Sequence, residues 1–179
     1  MGVKSDVTPA RVASPCKTKP GRPGWDWMAY DVTIESAAEC PTAVVKANTT
    51  WREFPTLWRA LLDEVWGFLR VTPGLRKDGH NVMLYQNGIP TVEVAVEVGV
   101  QVTGSFESAG RVVPSTLPGG QTATTVHQGP PSELGAAHDA IRGWCASQRR
   151  GLTGVSWEIY GDPDPLTGHF DVTVYWQLA

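Results

Sequence analysis

The chain has 179 residues, 41% hydrophobic and 18% charged, with 15 Lys and Arg against 18 Asp and Glu for a net charge of -3. Those values describe one domain of ordinary size, exclude a surplus of positive charge for neutralising phosphates, and leave no run of about 18 apolar residues to span a bilayer. Nucleic acid and membrane are therefore not expected partners. A cytoplasmic location is expected, because the opening stretch MGVKSDVTPARVASPCKTKPGRPG lacks the apolar segment of a secretory signal.

Residues 1–27 mix Pro, Lys, Ser and Gly without an apolar period, and read as a flexible extension ahead of a single domain over 28–179. Its basic residues Arg11, Lys17, Lys19 and Arg22 read as solvated. YDVTIES and PTAVVKANTT are expected strands, followed by a helix in WREFPTLWRALLDEVWGFLR. There Phe54, Leu57, Trp58, Leu61, Leu62, Val65, Phe68 and Leu69 recur at helical spacing. Thr50 and Glu53 have the spacing of a capping box, yet Pro55 belongs in a first turn, so the helix is expected to begin near Pro55.

HNVMLYQNG and TVEVAVEVGV alternate and flank an Asn-Gly pair, the pattern of a β-hairpin. GRVVPSTLPGG and QTATTVHQGP supply two more strands. A second helix is expected in PSELGAAHDAIRGWCASQRRG, with Leu134, Ala137, His138, Ile141, Trp144 and Cys145 on one face, Ser132 as cap and Gly151 as terminator. The hairpin VSWEIYGD and HFDVTVYWQL closes the chain. Residues 41–98 and 120–178 thus repeat one order, strand, helix, strand, strand, with Tyr85 matching Tyr160. The expected fold is α+β, a duplicated β-α-β-β unit whose antiparallel sheet carries both helices on one face and a ligand cleft on the other.

Alternation assigns Val82, Leu84, Val155, Trp157, Ile159 and the valines of VEVAVEV to the helix-covered side, together with Val172, Val174 and Trp176. The open face would then carry Tyr85, Tyr160, Tyr175 and Met83 beside Glu158 and Glu97, with Glu93, Ala95, Asp171 and Thr173. Trp51 and Trp66, at the end and flank of the first helix, are expected at the cleft rim. Aromatic walls with one or two carboxylates suit a flat, apolar or cationic molecule.

No cofactor or metal is expected. Cys16, Cys40 and Cys145 match neither a disulfide framework nor a zinc site, and His80, His127, His138 and His169 lack ligand spacing. His138, on an apolar stripe, reads as a hydrogen-bonded core residue. No dinucleotide fingerprint, P-loop or nucleophile elbow occurs.

HQGPPSELGAAHDAIRGWCASQ resembles the signature of the gyrase-inhibitor-like (GyrI-like) family, a strand ending in Gly-Pro and then a helix with Leu, Ala and Trp at fixed spacing. WEIYGDPDP resembles that family's Glu-x-Tyr strand and Pro-containing turn, and the resemblance extends from Tyr30 to Ala179. It implies an effector-binding domain with a glutamate at the floor of a cleft between two halves, and Glu158 is the matching position. Relatives often follow a DNA-binding helix-turn-helix, whereas only the Pro-rich stretch precedes Tyr30 here, so a stand-alone binder of a hydrophobic or cationic aromatic molecule is the expected function. A protein partner is not indicated, although inhibition of a large enzyme such as gyrase is a further role to weigh. The rival expectation is a hydrolase that opens strained, electrophilic rings of DNA-alkylating compounds, with Glu158 activating water and Tyr160 donating a proton.

Overall fold

A computed structural model describes residues 30–86, 93–163, 165–166, 168 and 170–179. The expected extension over 1–27, the Asn-Gly turn and His169 lie outside the described residues. Eight strands form one antiparallel sheet: β1 (Thr33–Ala37), β2 (Cys40–Thr49), β3 (Asn81–Gln86), β4 (Val94–Gln101), β5 (Val112–Leu117), β6 (Gly120–His127), β7 (Leu152–Pro163) and β8 (Phe170–Leu178). The two α-helices are α1 (Phe54–Val71) and α2 (Leu134–Ser147). The α+β expectation holds, and neither helix is long and apolar enough to cross a membrane among the described residues.

The strand order is β1-β6-β8-β7-β3-β4-β2-β5. Each half is therefore built on a strand, helix, strand, strand unit, β2-α1-β3-β4 and β6-α2-β7-β8, and the halves meet where β3 pairs with β7. The edge strands are exchanged: β1 precedes β2 in sequence but pairs with β6, and β5 precedes β6 but pairs with β2. This exchange forces the sheet to curl. In a flat sheet β1 and β2 would stand six strand spacings apart, about 29 Å, whereas the three Cα steps from Ala37 to Cys40 reach at most about 11 Å. Leu117 and Gly120 impose the same constraint from the other edge. The two crossovers touch, since a Cβ on Gly119 would stand 3.0 Å from the Glu39 side chain. Gly120 turns the second crossover at φ 111°, a conformation that only glycine adopts without strain.

Both helices lie on one face. The α1 stripe of Leu61, Val65 and Leu69 packs on Ala43, Val45, Val96, Val98 and Val100, and the α2 stripe of Ala137, Ile141 and Cys145 packs on Ala123, Val172, Val174 and Trp176. Pro55 falls in the first turn of α1, where its missing N–H costs no hydrogen bond. Thr50 accepts from Glu53 N–H but caps no helix. Ser132 does not cap α2 either. A short 3-10 turn, Pro131–Glu133, leads into that helix, and Arg149, at φ 54°, supplies the left-handed residue that was expected of Gly151.

The alternation reading fails on two strands. Directly paired residues of neighbouring strands share a face, so Met83, Glu158 and Val174 form one row, and Tyr85, Ser156 and Trp176 another, both on the helix side. Val82, Leu84 and Trp157 point to the opposite face and pack with Leu117 in a third cluster that Ala37 and Cys40 help to cover. The crossovers, not a helix, bury Trp157. On β4 and β8 the expected inward set is observed, so the inversion is confined to the central strands β3 and β7.

Candidate functional site

The helices sit over the flanks of the sheet, α1 on β2 and β4 and α2 on β6 and β8. Between them a cleft of about 460 Å³ opens above β7. Its lining includes Trp51 and Pro55 at the start of α1, Pro131, Leu134, Gly135, His138, Asp139 and Arg142 along the entrance and face of α2, and Ser156, Glu158 and Trp176 from the sheet. The expected cleft on the helix-free face is thus corrected. It lies on the helix side, because the opposite face of the central strands is closed by the two crossovers.

Glu158 forms the floor and is 3% exposed. Its Oε2 accepts from Tyr85 Oη at 3.0 Å and from Tyr160 Oη at 2.7 Å. Its Oε1 stands 2.8 Å from His138 Nε2, whose other ring nitrogen, Nδ1, stands 3.0 Å from Trp176 Nε1. An indole N–H can only donate, so Nδ1 is the acceptor. A single ring proton then sits on Nε2 and points at Glu158. The chain Trp176 to His138 to Glu158 therefore delivers a neutral donor to the carboxylate. Among the described residues no Lys or Arg forms an ion pair with Glu158.

Burial, and then the Glu158 charge, push the Tyr160 hydroxyl well above its ordinary value of 10.0 and do the same to Tyr85. Both phenols stay protonated and remain donors. Three donors to one carboxylate, each charge-assisted, are what a desolvated anion needs in order to persist. Trp51 packs on Tyr85 with ring centres 5.2 Å apart, Phe54 meets the same ring edge-on at 5.7 Å, and the Met83 sulfur lies 3.5 Å from both tyrosine hydroxyls.

Of the residues singled out from sequence, Glu158, Tyr160, Tyr85, Met83 and Trp51 are brought together here. Three are not. Glu97 lies on the opposite face, bound to Lys46 at 2.8 Å and Ser115 at 2.6 Å, because β4 alternates in antiphase to the central strands. Tyr175 stacks on Trp157 at 5.2 Å, also on that opposite face. Trp66 donates to Asn81 on the flank of α1 beneath the Arg76 guanidinium. His138, Trp176, Asp139 and Arg142 were missed as cleft residues. The available signal was His138 itself: a histidine on an apolar helix stripe needs a buried polar partner, and Glu158 is the buried carboxylate of β7.

A family model described as a GyrI-like small molecule binding domain matches residues 30–179. A search of curated proteins finds no match. Among solved structures, the C-terminal domain of EcmrR superposes with a TM-score of 0.70 at 17% identity, covering 85% of this chain and 99% of that one. SAV2435 bound to tetraphenylphosphonium gives 0.64 at 12% identity, covering 83% and 94%. A hydrolase encoded by lin2189 from Listeria innocua gives 0.53 at 11% identity, covering 83% and 91%. At these identities the likeness is one of fold.

Proposed function

This chain belongs to the GyrI-like small-molecule-binding domains, and from that premise we propose that it holds a flat, apolar cation in the cleft above Glu158, for sensing or sequestration. The observation that supports the reading most directly is the electrostatic state of Glu158. Its carboxylate is buried and hydrogen-bonded by three uncharged donors. Such a floor lacks a full positive charge, and a ligand cation above it supplies one. The aromatic surfaces of Trp51 and Trp176 and the apolar rims of Pro55, Pro131 and Leu134 offer area for the rest of such a molecule. A ligand of drug size fits the cleft volume.

The rival, opening of a strained ring by water, would use Glu158 as base and Tyr160 as proton donor. Two features disfavour it. Both tyrosine protons are already engaged by the carboxylate, and the upward shift of the Tyr160 hydroxyl makes its proton harder to release. Incubation with aromatic cations such as tetraphenylphosphonium and with strained electrophiles, followed by mass spectrometry of the small molecules, separates the two. Retention of the cation at unchanged mass is the expected result. Catalytic gain of one water by an electrophile, with no retention of cations, would replace the binding role with hydrolysis.

A further inference from the structure

Arg142 follows His138 by four residues on α2, so the two side chains stand one turn apart on the same helix face, and both line the cleft. The Arg142 guanidinium carbon lies 5.7 Å from the centre of the Trp176 ring, within the range of a cation–π contact. The same guanidinium forms an ion pair with Asp139, another cleft residue. The chain thus supplies, from its own helix, a planar cation on an aromatic wall beside a carboxylate.

We propose that Arg142 is a resident competitor, a tethered cation on the Trp176 wall that a cationic ligand must displace, and hence a residue that sets the cleft's selectivity between charged and neutral molecules. This rests on the reading of the cleft as a cation site. The displacement is physically accessible. The Arg142 and Asp139 side chains are 37% and 49% exposed, so the guanidinium can swing into water without opening the core. An arriving cation is repelled by Arg142 and competes with it for the same ring face. A neutral molecule meets only the arginine's shape. Arg142 therefore lowers the preference for cations that Glu158 creates.

The test is a calorimetric comparison of wild type, Arg142→Met, Arg142→Lys and Glu158→Gln, each titrated with tetraphenylphosphonium and with neutral triphenylphosphine oxide. Arg142→Met keeps a long apolar stem and removes the charge. It is expected to bind the phosphonium about three- to tenfold more tightly, the scale of one exposed cation–π contact and its repulsion. The phosphine oxide should change by less than about twofold, within ordinary surface effects. Arg142→Lys should return the phosphonium affinity toward wild type. An unchanged phosphonium affinity in Arg142→Met, or equal gains for both probes, overturns the role of Arg142. If Glu158→Gln still loses phosphonium binding in that case, the cation reading of the cleft survives alone. Absence of phosphonium binding in both wild type and Arg142→Met overturns both.

Discussion

Tyr85 and Tyr160 stand 75 positions apart in the sequence, as do Met83 and Glu158, and the register of β3 on β7 makes each pair equivalent in the two halves. The helices match as well: buried Phe54, Leu61 and Val65 recur 80 positions later as Leu134, Ile141 and Cys145, which sets Trp58 against His138. The strand pairings set Val100 against Trp176. The first half therefore carries Met83, Trp58 and Val100 where the second carries Glu158, His138 and Trp176. One scaffold is filled with apolar packing on one side and with a polar relay on the other.

The contrast has a physical reason at the seam. Met83 and Glu158 are direct partners across β3 and β7. Two glutamates there would place like charges opposite each other, an arrangement that is destabilising and would force one carboxyl to hold its proton. A thioether tolerates the same two tyrosine hydroxyls without adding charge. Symmetry of the backbone is kept while symmetry of charge is broken, and a single anion results.

The largest expected effect concerns the face opposite the cleft. Trp157 and its first-half counterpart Val82 both lie under the crossovers, and Trp157 is 2% exposed. Trp157→Ala should cost about 3–5 kcal/mol and Val82→Ala about 1.5–3 kcal/mol in denaturant unfolding, following the apolar bulk each removes. Parent-like stability in Trp157→Ala would mean that the crossovers do not bury this face.

A smaller effect separates the two tyrosines' shared environment from a merely aromatic one. The Tyr160 hydroxyl is raised in the folded chain by burial and by Glu158, so the unfolded state loses its proton first. The resulting stability is fully present below pH ~10, the ordinary tyrosine value, and is lost as pH climbs above it. Wild type should lose stability above pH ~10 more steeply than Tyr160→Phe, by about 1.4 kcal/mol per pH unit. Unfolding curves between pH 8 and 11 measure the difference. Parallel slopes would show that the hydroxyl is not held protonated by its surroundings.

Much of the fold was legible because local patterns carried it. The two helix stripes, the strand alternation and the repeat from residues 41–98 to 120–178 each required only near neighbours in sequence. The orientation of β3 and β7 was not, since both faces of these strands are buried. Val82, Leu84 and Trp157 are covered by Ala37, Cys40 and Leu117, which come from the far edges of the sheet. No periodicity announces a crossover that curls the sheet onto itself. Glu158 and Tyr160 share a side whichever side it is, because they stand two apart on β7, and Tyr85 joins them because β3 is inverted together with β7. Glu97 and Tyr175 were misplaced because their strands run in antiphase to the central pair. His138 was recognised as a residue in need of a hydrogen-bond partner, but naming that partner requires knowing that α2, packed on β6 and β8, brings His138 within reach of Glu158 on the neighbouring β7.

Glu158 is a buried carboxylate with no Lys or Arg partner among the described residues. Calorimetric titration of wild type and Glu158→Gln, with a charged and a neutral ligand of similar shape, addresses this most directly. A charge-assisted contact retains about 1.5–3 kcal/mol, so tetraphenylphosphonium should bind Glu158→Gln about ten- to a hundredfold more weakly, while triphenylphosphine oxide binds both proteins alike. Equal losses for the two ligands would make Glu158 a structural residue and contradict the assignment of the cleft as a cation site.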